Sequence, residues 1–219
     1  MHPGTTSPSP PIAVRPLGGL ATAASILIGI SAVAWATTTH IAGWTAYATL
    51  ARLRGEPVDA IGVQATGIGP IKASVINQGI AVLVALAAAI VFIVWLSRAR
   101  DNAERLSDRP MRLAKGWAAG AWFVPVANLV LPVIVAVDVW LASAPQGRPS
   151  GAGLVGLWWT VAVGTWLLWP VSALARTLVQ DDGYYVSAVL GTIQGLLTVV
   201  AAALAVAVIQ RITRWQTAR

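Results

Sequence analysis

The chain of 219 residues has no cysteine, two histidines and only eight acidic residues. Without cysteine there is no disulfide, no thiolate-bound zinc, no iron–sulfur cluster and no thiol nucleophile. His2 and His40 are too few and too far apart in sequence to suggest a haem or metal site, so no cofactor is expected. Catalytic sets are missing as well. There is no phosphate loop, no Ser-His-Asp arrangement and no carboxylate dyad, since the adjacent Asp181 and Asp182 would not face each other on a helix. The expectation is a protein that is not an enzyme. Charge of either sign is also scarce: 11% of residues are charged, against about 25% in soluble domains.

What fills the space is apolar, 57% of all residues. Four runs, 17–39, 75–96, 154–174 and 186–209, reach the ~20 residues that a hydrocarbon core of ~30 Å requires. The formal charge of +7 marks cytoplasmic loops in such a chain. No basic face with interleaved aromatics accompanies it, so nucleic acid is not an expected partner. Residues 1–16, rich in Pro, Ser and Thr, read as a disordered cytoplasmic tail, and 17–215 as a single helical membrane domain. Ala34-Trp35-Ala36 resembles a signal-peptidase site. The apolar run before it is longer than the 7–15 residues of a signal peptide, so 17–39 is expected to stay as a span.

Between the first two spans, 40–74 is polar enough for a loop. Within it Ile41, Trp44, Ala48 and Ala51 share a helical face, which suits either an interfacial helix or a plain helical hairpin. Gly62, Gly67, Gly69 and Pro70 should break the chain before the second span. After that span, Asp101 to Arg105 and Glu104 to Asp108 stand at helix-turn spacing, so the helix can continue into water. In 154–174 the tryptophans Trp158, Trp159, Trp166 and Trp169 read as interface anchors.

The segment 117–141 is the puzzle. Pro125 and Pro132 each remove a donor and disfavour helix at the residue before, making Val124 and Leu131 break points. It is either a kinked span or a re-entrant or interfacial pair of short helices. Counting Lys and Arg decides between them. If the segment does not cross, 11 fall on the side of the termini and 4 on the other; if it does, the split is 8 against 7. The positive-inside rule therefore favours four spans, both termini cytoplasmic, and a segment that returns to the side it came from. The fold expected is an all-α four-transmembrane-helix bundle with a proline-broken element between the second and third full spans.

Asp138 is the foremost candidate for function, because an ionisable group in an apolar segment is costly and finds a cation, water or a pathway. Arg112 or Lys115 is its expected partner, and the competing reading is a hydrated carboxylate at the cytoplasmic interface. Asn128, between Pro125 and Pro132, would satisfy carbonyls freed by the break or offer its amide to a ligand. Arg176 shares a stripe with Gly164, Leu168 and Ser172, and would pair with Asp181 and Asp182, hold a lipid headgroup or simply snorkel. Small residues recur every fourth place at Ala21, Ser25 and Gly29, at Ala81, Ala85 and Ala89, and at Ser187, Gly191 and Gly195. Such stripes let membrane helices approach closely, within the bundle or in a homo-oligomer.

The blocks RARDNAERL, GWAAGAWFVPVANLVLP, DVWLAS and LVGLWW resemble the signature blocks of the domain of unknown function 4328 (DUF4328) family, membrane proteins found largely in actinobacteria. The likeness runs from about Val75 to the end. Its specific part is Trp122, Phe123, Val124, Pro125, Ala127, Asn128, Leu129 and Pro132. One departure stands out: the family commonly has a basic residue beside the carboxylate matching Asp138, and this chain has Val137. The resemblance implies a multi-pass protein of the bacterial plasma (inner) membrane and supplies no activity. The functional expectation is a non-enzymatic scaffold or interaction subunit, its partners the lipid bilayer and a second copy or another membrane protein. The alternative is a small transporter or channel built on the broken segment and Asp138.

Overall fold

A computed structural model describes residues 14–55, 68–145, 151–179 and 182–218, with the side chains of 68–74 left aside. Four helices are long and apolar enough to cross a membrane: α1 (Gly18–Leu53), α2 (Ile68–Leu106), and later α5 (Gly153–Leu178) and α6 (Gly183–Thr217). Between them lie a single turn, α3 (Trp117–Gly120), a 3-10 turn (Ala127–Leu129) and the short helix α4 (Leu131–Ser143). The chain is an all-helical, multi-pass membrane protein. Large side chains such as Leu83 (67% exposed), Ile90 (63%) and Leu196 (66%) face outward on the spans, a pattern that only lipid tolerates.

The helices overrun the apolar segments. α1 does not end near Thr39 but continues to Leu53, so 40–53 of the expected loop, with its interfacial helix, is part of the first span's helix, while 56–67 fall outside the described residues. No proline interrupts ATTTHIAGWTAYATLARLR, and Gly43 within it is tolerated because Ala188 packs against it; Gly55, with a φ of 75°, closes the helix in the left-handed conformation. The added turns pack Ala48 and Ala51 inward while Trp44 meets Tyr185 of α6 edge-on at 5.9 Å. At the start of α2, Gly69 and Pro70 lie inside the first helical turn, where proline's missing donor is harmless; Gly62 and Gly67 fall outside the described residues, as does the tail up to residue 13. The far end of α2 extends through the charged RARDNAERL to Leu106.

α1 packs against α2 and α6, and α5 against α6, while α3 packs on α2 and α4, and α4 on α2, α5 and α6. The α1–α6 seam is close, and glycines on both helices make it so. A Cβ on Gly195 would stand 3.1 Å from the Ala36 Cα, and one on Gly43 3.1 Å from the Ala188 Cα. Gly191 faces the Thr39 carbonyl, whereas Gly29 meets nothing within 4 Å among the described residues.

Tertiary hydrogen bonds sort the helix ends into two groups. The backbone of Arg15, just before α1, exchanges two 2.8 Å bonds with Asn102 near the end of α2. Gln216 at the end of α6 donates to the Ala99 carbonyl and to Ser143 at the end of α4. Lys115, just before α3, reaches Glu104 at 2.8 Å. The segment 115–143 thus enters and leaves at one end of the bundle, which we term the latched end. At the opposite end Arg176 of α5 meets Ser187 of α6, and His40 of α1 meets Thr192.

The returning segment is an arm with a sharp corner. Val126 has a φ of 64°, and the Ala127 N–H donates to the Pro125 carbonyl at 2.7 Å, a strained γ-turn. Pro132 stands at the start of α4, where its fixed φ suits a first turn, so Leu131 begins a helix where a break was expected. The 13 residues of α4 span only about 20 Å, short of the ~30 Å core. Phe123 and Val126 at the corner are 76% and 81% exposed.

Candidate functional site

Two features centre on the arm: a polar latch where it is fastened, and a cavity beneath its corner. In the latch, Asp138 projects from α4 and is buried, with only 7% of its surface exposed. Arg112, on the loop after α2, donates its backbone N–H to one Asp138 oxygen at 3.0 Å and its Nε to the other at 2.7 Å. The Arg112 Nη2 also reaches the Ile134 carbonyl at 3.3 Å. Both carboxylate oxygens are therefore occupied by one residue. Of the two expected partners Arg112 is the one found; Lys115 turns to Glu104 instead.

Behind this pair sits Arg100, 3% exposed. Its guanidinium donates to the carbonyls of Leu113 and Ala114 and pairs with Glu104 at 3.3 Å. One buried arginine thus folds the loop back over α2. Arg15 adds an ion pair with Asp101 at 3.1 Å, so the start of α1, the loop and α4 all converge on the last turns of α2. Sequence reasoning passed over Arg100, Asn102 and Gln216. For Arg100 and Asn102 the one hint was their place in the RARDNAERL block, which a solvated helix face explains equally well; Gln216, near the end of α6, carried none.

The arm's other fastening is aromatic. The Trp159 indole donates to the Leu129 carbonyl at 2.8 Å, so an indole and not Asn128 satisfies a carbonyl freed by the break. The Asn128 Oδ1 is itself buried without a partner among the described residues. Trp158 and Trp159, each 7% exposed, belong to the core and are not the interface anchors expected of them; Trp169, at 67%, fits that role. Phe92 of α2 lies 5.6 Å from Trp122 and 5.9 Å from Trp158, edge to face. Phe92 is four residues inside the apolar run of α2, so this junction lies roughly 6 Å below its boundary.

Beneath the aromatic junction the four spans leave a cavity of about 240 Å³. Alanines from every span, Ala32, Ala88, Ala162 and Ala202, make the room, and Trp122, Trp158 and Trp166 wall it. Thr165, Thr198 and Ser31 add hydroxyls. The Trp122 Nε1 is buried with no acceptor among the described residues.

At the other end Arg176 meets no carboxylate among the described residues. Its Nη1 donates to the Ser187 hydroxyl at 2.7 Å, and Asp181 lies outside the described residues. The cause is Gly183, whose missing Cβ would stand 2.7 Å from the Ala175 carbonyl; that approach brings Ser187, one turn on, opposite Arg176. Ala21 and Ser187 are buried on their helices, while Ser25 is half-buried. Among the described residues no group of three or more His, Cys, Asp or Glu is placed to hold a metal.

Residues 72–214 match the family described as Domain of unknown function (DUF4328). No curated protein and no solved structure matches the chain.

Proposed function

The chain belongs to the DUF4328 family, and from that premise we propose a non-enzymatic membrane protein that holds a lipid in the cavity between its four spans. In this reading 17–215 forms one membrane domain and residues 1–16 a cytoplasmic tail. The protein resides in a bacterial plasma membrane with both termini in the cytoplasm, and acts as a scaffold or interaction subunit toward lipid or another membrane protein, a second copy included.

The observation that carries the reading is the cavity itself. It lies midway along the spans, its lining is mostly apolar and it is not closed off, so in a bilayer an acyl chain is the occupant that suits it. The latched end, which gathers Arg100, Arg112, Lys115, Arg211 and Arg214, supports its cytoplasmic placement. A solute pathway through Asp138 loses its motive, because Arg112 occupies both carboxylate oxygens.

Ala202→Phe would place a ring in the cavity. Native mass spectrometry of protein extracted in mild detergent is expected to find a retained lipid on the wild type and little or none on this variant, at an unchanged melting temperature. Wild type free of lipid, or equal retention by both, would count against the proposal.

A further inference from the structure

The cations of the latched end differ in whether they have an acidic partner. Arg15, Arg100, Arg112 and Lys115 all pair with carboxylates. Arg211 and Arg214 on α6 have none among the described residues. Arg211 instead lies 5.8 Å from the Trp140 ring centroid and 5.4 Å from that of Trp215, and those two rings meet edge-on at 4.7 Å. Such contacts fix a guanidinium in place and leave its N–H groups free for an anion. Arg214, one turn on, has only a 3.5 Å approach to Gln210. Both arginines line one groove of about 400 Å³ with Leu154 and Trp215.

The groove sits at headgroup depth. Arg211 follows Ile209, the last residue of the apolar run of α6, by two positions. Arg214 and Gln210 also edge a second groove, about 430 Å³, that passes Gly18, Ala21 and Ser25 to Ile26 on α1. Ile26 lies eight residues inside α1, about 12 Å deeper. The small-residue stripe on α1 thus leaves a channel for a chain directly below the paired arginines.

We infer that Arg211 and Arg214 form a binding site for the phosphate of an anionic phospholipid, one acyl chain of which descends the α1–α6 groove. The site is separate from the central cavity and needs only that the chain sit in a membrane. Planar guanidinium groups suit phosphate oxygens, and the low dielectric of the interface strengthens the contact.

The test uses the full chain, delipidated in a zwitterionic detergent and titrated with phosphatidylglycerol, phosphatidylcholine or inorganic phosphate, with bound lipid counted by native mass spectrometry. Phosphatidylglycerol is expected to bind about tenfold or more tightly than phosphatidylcholine, in a salt-sensitive manner, and Arg211→Gln with Arg214→Gln to remove that preference. Arg109→Gln, an exposed change elsewhere at the same end, should leave it intact. Arg211→Lys should recover only part of it, since the charge is kept and the stacked fork is lost. Equal binding of the two lipids by wild type, an unchanged preference in the double variant, or inorganic phosphate competing at equal affinity would each overturn the inference. Ala202→Phe should not alter the preference, which separates this site from the cavity.

Discussion

Arg112→Ala is expected to destabilise the protein by about 3 kcal/mol, more than Asp138→Asn does, and combining the two should recover part of the loss. The asymmetry follows from burial. Asp138 is enclosed and Arg112 has a side chain 55% exposed. Removing the guanidinium leaves a buried carboxylate with no cation and only the backbone N–H of residue 112, and breaking a buried pair costs about 3–5 kcal/mol. The half-exposed partner puts this case at the lower end. Removing the carboxylate's charge leaves a guanidinium that water can reach, so only the charge-assisted bonds are forfeited, about 1.5–3 kcal/mol. Thermal unfolding of the two single variants and the double variant in one detergent checks the order. Equal losses that simply add would mean that the pair is not the fastening of the arm.

Gly195→Leu should be at least as damaging, because the new side chain meets backbone. Its Cβ alone would lie 3.1 Å from the Ala36 Cα and 3.2 Å from the Ala36 oxygen. Overpacking of this kind costs about 1–3 kcal/mol where side chains can move, and here the obstacle is a helix main chain. α1 and α6 must separate. Gly29→Ala is the matched contrast: with nothing within 4 Å of that position, the change should be neutral or stabilising by up to ~1 kcal/mol through helix propensity. A melting temperature for Gly195→Leu near that of wild type would show that the seam is looser than described.

What could be read from the residues was what the bilayer imposes. Length and apolarity announce the four spans, and two prolines in a run announce a break, because both constraints act locally. Asp138 was legible as a residue needing a cation, water or a pathway, and Arg112 and Lys115 were the cations named for it. Its neighbours were not. Asn102 meets Arg15 across 87 positions and Gln216 meets Ala99 across 117, and polar residues near helix ends carry no mark of which distant backbone they satisfy. Trp158 and Trp159 were misread for a physical reason: an amphipathic indole suits both the headgroup zone and a buried carbonyl. The extension of α1 to Leu53 went unseen because polar residues suggested a loop, whereas helix continues wherever no breaker stops it. The γ-turn at Val126 runs against a β-branched residue's preference and has no signal in the sequence.

The central claim is that the arm returns to the side from which it enters. The chain has no native cysteine, so single cysteines at Ser107, Ala144 and Ala218, and at Gly55 and Val179, can be probed in intact cells with a membrane-impermeant maleimide. The account predicts that Gly55 and Val179 positions are labelled from outside, while the other three react only after permeabilisation. Labelling of the Ser107 and Ala144 positions from opposite sides would contradict it.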